Sequence, residues 1–342
     1  MRFRLALVVL FIALTPGIVR AALAIRESGS TLLFPVVTAW AAAYAKIAPG
    51  VDVTTDATGS GAGVEAVVTG NAELGASDVA LGAAERARGD LAEIPLAISG
   101  QFIGYNLPGV PTLRLSPDVL AAIYEGTLTR WNDPRIVALN PGAALPNATV
   151  VPLRRSDRSG DTFLFAAYLA AGAPHRWTLA PATSLAWPSV ADEQTAKGNR
   201  ELLDLLTQTR YGIAYLGISF YAQATSSEIG IAALRNRAGA FVMPENGAIE
   251  AAARQIAQHP ADPEPSLIDL PGAGTYPIVN VEYAVVRKTQ EQAGVAAALR
   301  AFLTWILDPT GGSAPAMLDP VHFTALPEAL RARSRAAIDA LR

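Results

Sequence analysis

Short extended runs give way, again and again, to amphipathic helical ones, and this alternation restricts the fold more than any other feature of the chain. Strands and helices that interleave in this way pack as an α/β structure, with helices laid on the faces of a mixed sheet. Residues 25–28 read as a first strand. Residues 35–46 (PVVTAWAAAYAK) then align Val36, Trp40, Ala43 and Tyr44 along one helical stripe. Pro35 suits the first turn of that helix, where its missing N–H would have had no partner. Residues 51–55 alternate as a second strand, Gly59–Gly63 form a glycine-rich turn before a short helix ending at Val68, and residues 73–76 give a third strand that ends at Ser77-Asp78.

Two apolar, extended stretches stand far apart: residues 94–106 (IPLAISGQFIGYN) and 276–287 (YPIVNVEYAVVR). We read them as strands that carry the chain out of one lobe and back again. At 342 residues the chain suits two domains of moderate size. Lobe I is then 25–105 with 276–342, and lobe II is 106–275. Between the crossings come a helix over 117–124, a Trp131-Asn132-Asp133-Pro134 turn, a strand over 149–154, a helix over 162–170 and a strand over 211–216. A long helix spans 289–307, and the proline-rich acidic stretch 260–271 reads as a surface loop.

The first 24 residues follow a different logic. Arg2 and Arg4 precede the apolar run 5–14, and Ala22-Leu23-Ala24 supplies small residues for a cut, the order of an export signal. Its removal takes three arginines and leaves 24 basic and 30 acidic residues, a formal charge of −6. An acidic surface argues against nucleic acid as a partner. The chain has no cysteine, which excludes disulfides, thiolate catalysis and cysteine-held zinc. The compartment expected is the periplasm or the exterior, with core packing alone holding the fold. His175, His259 and His322 are isolated, so no metal and no cofactor is expected.

Chemistry concentrates where strands yield to helices. Gly29-Ser30-Thr31-Leu32, Gly59-Ser60-Gly61, Ser77-Asp78 and the stretch from Arg155 to Asp161 each place small polar or glycine residues at such a junction. Helix N-termini carry unpaired N–H groups and partial positive charge, so these junctions bind anions readily. Taken singly, each also looks like an ordinary helix cap. Gly61-Ala62-Gly63 with Asp78 imitates a dinucleotide fingerprint, but the helix between them is too short for that fold. A guanidinium among Arg154, Arg155 and Arg158 would supply the countercharge, and spacing does not choose among the three. Asp78 suits an anion that still carries a proton. HPO₄²⁻ can donate an O–H to a carboxylate, whereas sulfate would set two acceptors face to face.

In this order the stretches resemble the periplasmic phosphate-binding proteins of the high-affinity phosphate ABC importer. The similarity includes Gly29-Ser30-Thr31, Gly59-Ser60-Gly61-Ala62-Gly63-Val64 and Gly75-Ala76-Ser77-Asp78. It continues through Gly126-Thr127-Leu128-Thr129-Arg130-Trp131-Asn132-Asp133-Pro134 and Leu139-Asn140-Pro141-Gly142. Arg155-Ser156-Asp157, Ser159-Gly160-Asp161-Thr162-Phe163, Gly212-Ile213-Ala214-Tyr215 and Tyr276-Pro277-Ile278-Val279-Asn280 complete it. The resemblance implies a two-lobed, type II-like fold with phosphate in the cleft. It implies Thr31, the Leu32 amide, Ser60, Asp78, Arg155, Ser159, Gly160 and Asp161 as ligand groups, and so selects Arg155 over its neighbours. It also implies a monomer that hands inorganic phosphate to the membrane permease of an ABC importer. An exported phosphatase is the alternative, with Ser60 as its nucleophile. Three positions depart from the family pattern: Leu32 where many members have Phe, Asp161 where some have Thr, and Arg158 where glycine is common. For Asp161 the expectation is that its N–H faces the ligand while its carboxylate caps its own helix; the alternative is that the carboxylate also faces the ligand and accepts a second proton.

Overall fold

The computed structural model describes residues 22–258 and 265–342; most of the expected export signal, His259 and part of the 260–271 loop lie outside them. Leu23 and Ala24, the last residues of that expected signal, open the first strand. The strands are β1 (Leu23–Gly29), β2 (Val51–Asp56), β3 (Leu74–Ser77), β4 (Leu91–Tyr105), β5 (Leu113–Leu115), β6 (Val151–Arg155), β7 (Gln194–Ala196), β8 (Gly212–Gly217), β9 (Gly230–Arg235), β10 (Phe241–Val242) and β11 (Val279–Arg287). They form one curled mixed sheet in the order β2-β1-β3-β11-β4-β8-β6-β7, with β9 alongside the end of β4 and carrying β5 and β10.

One strand joins the two halves. β4 is 15 residues long, roughly 50 Å when extended. Leu91–Gly100 run against β11, all but Leu96 paired, and Gln101–Tyr105 pair with β8. Tyr276, just before β11, donates its hydroxyl to Gln101 O (2.8 Å), and Gln101 N–H donates to Ile278 O (3.0 Å). The outward and returning chains therefore touch where the sheet passes from one half to the other. Edge and centre differ as burial requires. β2, at the edge, alternates half-buried and exposed residues, whereas β3 and β8 are buried throughout because helices cover both faces.

Each half has its own aromatic anchor. In the first, the helix Phe34–Ile47 buries Val36, Val37, Trp40 and Tyr44; Trp40 Nε1 donates to Gly312 O (2.8 Å), and Tyr44 packs on Phe302 with ring centroids 5.0 Å apart. In the second, Phe165 stacks on Tyr215 at 4.7 Å and Tyr124 meets Phe165 edge-on at 4.7 Å. Such pairs add about 0.5–1.5 kcal/mol each beyond their buried area. Two expectations shift. Gly61-Ala62-Gly63 is not a turn: the helix Ser60–Thr69 begins before it, after Gly59 at φ 97°, and a Cβ on Gly63 would come within 2.4 Å of Ser28 O. Close packing of helix on strand, rather than a turn, explains that glycine. The helix Gly160–Gly172 likewise starts two residues earlier than the pattern suggested.

Candidate functional site

Ser30, immediately after β1, turns its hydroxyl inward. Its Oγ accepts from the N–H groups of Leu32 and Leu33 (both 3.1 Å) and donates to Asp78 Oδ1. Ser60, the first residue of its helix, donates to Asp78 Oδ2 (3.0 Å) and accepts from Asp78 N–H (3.3 Å). Asp78 follows directly on β3, so three strand-to-helix junctions of the first half converge on one carboxylate.

The second half is built around a cation. Arg155 ends β6; its Nε donates to Asp157 (2.7 Å) and its Nη1 to Asp161 Oδ2 (2.7 Å). Its N–H donates to the hydroxyl of Tyr215 (3.0 Å), which also bonds Thr162 Oγ1 (2.8 Å), so the aromatic core fixes this strand end. Arg154 instead pairs with Glu193 beside the Trp187 ring, and Arg158 lies over Gly61. Arg155 is thus the buried one of the three, with 3% exposure. Ser159 caps the helix Gly160–Gly172 by accepting from Thr162 N–H (3.3 Å).

That cap corrects the expectation for Asp161. Among the described residues its carboxylate caps no helix N–H; it receives Arg155, Asn199 Nδ2 (2.7 Å) and Gln101 Nε2 (3.2 Å). Capping was already satisfied by Ser159, which leaves Asp161 free to balance the guanidinium. Arg158, for its part, brings no left-handed backbone; its carbonyl accepts from Gly61 N–H (3.1 Å) across the cleft.

The two sets of residues meet. A Cβ on Gly160 would lie 2.3 Å from Asp78 Oδ2 and 2.6 Å from Ser60 Oγ, so only glycine lets this helix start reach the opposite face. Thr31 Oγ1 accepts from Asn199 N–H (3.1 Å) and Nδ2 (2.9 Å), and Ser219 Oγ donates to Leu32 O (2.7 Å). All eight residues singled out from the sequence, Thr31, Leu32, Ser60, Asp78, Arg155, Ser159, Gly160 and Asp161, therefore lie buried in one cluster that straddles both halves. A cavity of about 340 Å³, lined in part by Asp78, Phe163 and Asn280, runs beside it.

Burial dominates the titration of this cluster. It pushes Asp78 up to about 7, with the charge of Asp161 adding, while hydrogen bonds from Ser30, Glu282 and Ser60 oppose the rise. Burial also raises Asp161, against the pull of Arg155, Asn199 and Gln101. For Arg155 burial works against the charge, yet Asp157 and Asp161 outweigh it and the guanidinium is held more firmly protonated. Two helix starts, hydroxyls and a fixed guanidinium favour an anion, and a carboxyl able to take a proton near neutrality sits among them.

Sequence reasoning missed Asn199, Gln101, Ser99, Asn280 and Glu282. Four of them had a signal: each is a polar residue inside an otherwise apolar crossing strand. Asn199, in the first turn of the helix Gly198–Gln208, had none.

The chain matches the PBP superfamily domain over residues 19–310. It is 31% identical over 285 residues to the phosphate-binding protein PstS of Pasteurella multocida, covering 82% of this chain and 81% of that one. It is 30% identical to the PstS of Methanocaldococcus jannaschii, covering 89% and 82% respectively. A solved phosphate-binding protein from Stenotrophomonas maltophilia superposes with a TM-score of 0.69 at 20% identity, covering 92% of this chain and 94% of that chain. At that identity the likeness carries the fold, a two-lobed type II-like binding protein.

Proposed function

The chain belongs to the PstS-like family of phosphate-binding proteins, and from that membership and the geometry of the cluster we propose how it works. It binds inorganic phosphate for ABC transport, one ion enclosed between lobe I (25–105 and 276–342) and lobe II (106–275). Thr31, the Leu32 amide, Ser60, Asp78, Arg155, Ser159, Gly160 and Asp161 surround the ion. The observation that carries this reading is the meeting of Asp78 with the helix start at Gly160 and the nearby Arg155, one acceptor among donors.

The chemistry then selects the ion. HPO₄²⁻ has oxygens for the N–H, hydroxyl and guanidinium donors and one O–H for the Asp78 carboxylate. Sulfate has no proton to offer, and an acceptor buried against an acceptor costs several kcal/mol, roughly thousands-fold in affinity. The protein acts in the periplasm as a monomer, transforms nothing, and passes its ion to the membrane permease of an ABC importer. Closure of the two lobes about β4 and the returning chain at 276–281 holds the ion; hinge closure is a known behaviour of periplasmic binding proteins as a class.

Native mass spectrometry with phosphate tests the reading. One phosphate per chain is expected, together with no turnover of a chromogenic phosphate ester. Absence of a bound ion at saturating phosphate would overturn the binding function, and ester turnover abolished by Ser60→Ala would favour the phosphatase.

A further inference from the structure

Behind Asp78 lies a second acid. The antiparallel register that pairs Tyr283 with Ser77 sets Glu282 of β11 opposite Asp78. The other face of the register is irregular: β11 and β4 slip by one residue between Glu282 and Tyr283, where the partner strand carries Pro95, which has no N–H for the ladder. Glu282 is fully buried. Its Oε1 accepts from Ser99 Oγ (2.5 Å) and Asn280 Nδ2 (2.6 Å), both neutral donors. Its Oε2 is buried and receives no N–H or O–H from the described residues; across the register, the side chain it faces is the Asp78 carboxylate, with which Glu282 interacts. Two ionised carboxylates cannot face each other in this way, for there is no hydrogen between them.

We propose that Glu282 is a positioning residue for the anion site: it holds a proton and donates it to the Asp78 carboxylate, so that the buried pair carries one negative charge and Asp78 remains an acceptor. The inference rests on the reading of the cluster as a phosphate site. It follows that Asp78 uses its lone pairs on Ser30, Ser60 and Glu282 and keeps one for the O–H of the ligand. The charged and titratable groups around the pair agree on where the proton sits. Asp161, from the second half, disfavours charge on Asp78, while the hydroxyls of Ser30 and Ser60 favour it. Among the described residues Glu282 bonds neutral Ser99 and Asn280 and faces Asp78, and burial followed by the charge of Asp78 raises its affinity for a proton well above the ordinary range. The proton therefore belongs on Glu282. Phosphate selectivity thus depends on a residue one shell removed from the ligand.

The test compares Glu282→Gln, which keeps a neutral donor of the same shape, with Glu282→Leu, which removes the donor. Calorimetry with phosphate and with sulfate at pH 6, 7 and 8 reads both. Glu282→Gln should keep phosphate affinity within about threefold and retain discrimination. Glu282→Leu should leave Asp78 to take up the proton itself. It would then become a donor that tolerates sulfate, and discrimination should narrow at least about tenfold, more at pH 6 than at pH 8. Infrared difference spectra of wild type minus Glu282→Gln, without phosphate at pH 7, should show the C=O stretch of a protonated carboxylic acid. Absence of that band would overturn the proposal even if phosphate binds normally. So would a Glu282→Gln protein that binds phosphate tenfold more tightly, because that would mean a charge had been removed. If wild type bound no phosphate, the infrared band would still decide the state of Glu282.

Discussion

The two halves of the site solve the problem of buried charge in opposite ways. On the first half, Asp78 has no cation beside it among the described residues and relies on the hydroxyls of Ser30 and Ser60 and on Glu282. On the second, Asp161 and Asp157 flank Arg155, and every charge has an opposite one within 2.7 Å. A carboxylate solvated by neutral donors keeps a raised proton affinity and can read the protonation of a ligand. A carboxylate locked to a guanidinium mainly fixes the position of the cation. The contrast teaches that the acidic residues here are not interchangeable: on the proposed reading one selects the ion, while the other holds the guanidinium.

Removing the cation should break the second half most severely. Arg155→Met is expected to weaken phosphate at least about 100-fold, since a charge-assisted bond is lost and the buried Asp161 and half-buried Asp157 keep only neutral donors, with no countercharge. Thermal unfolding should show the same variant destabilised even without ligand. Retention of affinity within tenfold would place the countercharge elsewhere.

Asp161→Thr sharpens the comparison. Because the carboxylate holds Arg155 Nη1 and its charge raises Asp78, its removal should free the guanidinium and lower the proton affinity of Asp78. Phosphate affinity at pH 8 should rise, by up to about tenfold. A fall in affinity that deepens towards pH 6 would instead mean that Asp161 accepts a second proton from the ligand.

The smallest effect expected is on stability against pH. Asp78, Asp161 and Glu282 are all raised by burial, and so is Glu27, to about 8. A group with a raised folded value binds its proton more tightly in the native state, so its contribution is complete at acid pH and fades as pH climbs through that value. His322, lowered by burial, opposes this weakly. The phosphate-free protein should therefore melt a few degrees lower at about pH 8 than at about pH 5.5, and Glu27→Gln should reduce the difference.

Much of this was legible in the chain. The alternation of strands and helices gave the layers, and the two apolar stretches became the paired strands β4 and β11, because a strand buried on both faces needs apolar residues throughout. The strand-to-helix junctions held all eight residues of the cluster, and the family resemblance picked them out, Arg155 from among its neighbours included. The helix Glu328–Asp339 and the β9–β10 hairpin were not anticipated, and the roles of polar residues inside the strands were hidden for a definite reason. Asn199 bonds Asp161 across 38 positions and Ser99 bonds Glu282 across 183, so their meaning exists only once the sheet has assembled. The Asp161 carboxylate misled for the same reason: a cap is a local option, whereas Arg155, Gln101 and Asn199 come from three separate elements.

Calorimetric titration of the wild-type protein with phosphate at pH 8, repeated in a large excess of sulfate, tests the division of labour between Asp78 and Arg155 most directly. A single site whose phosphate affinity is unmoved by sulfate is the predicted result. Competition by sulfate in proportion to its concentration would contradict it, because a site made only of donors and a guanidinium would not tell the two anions apart.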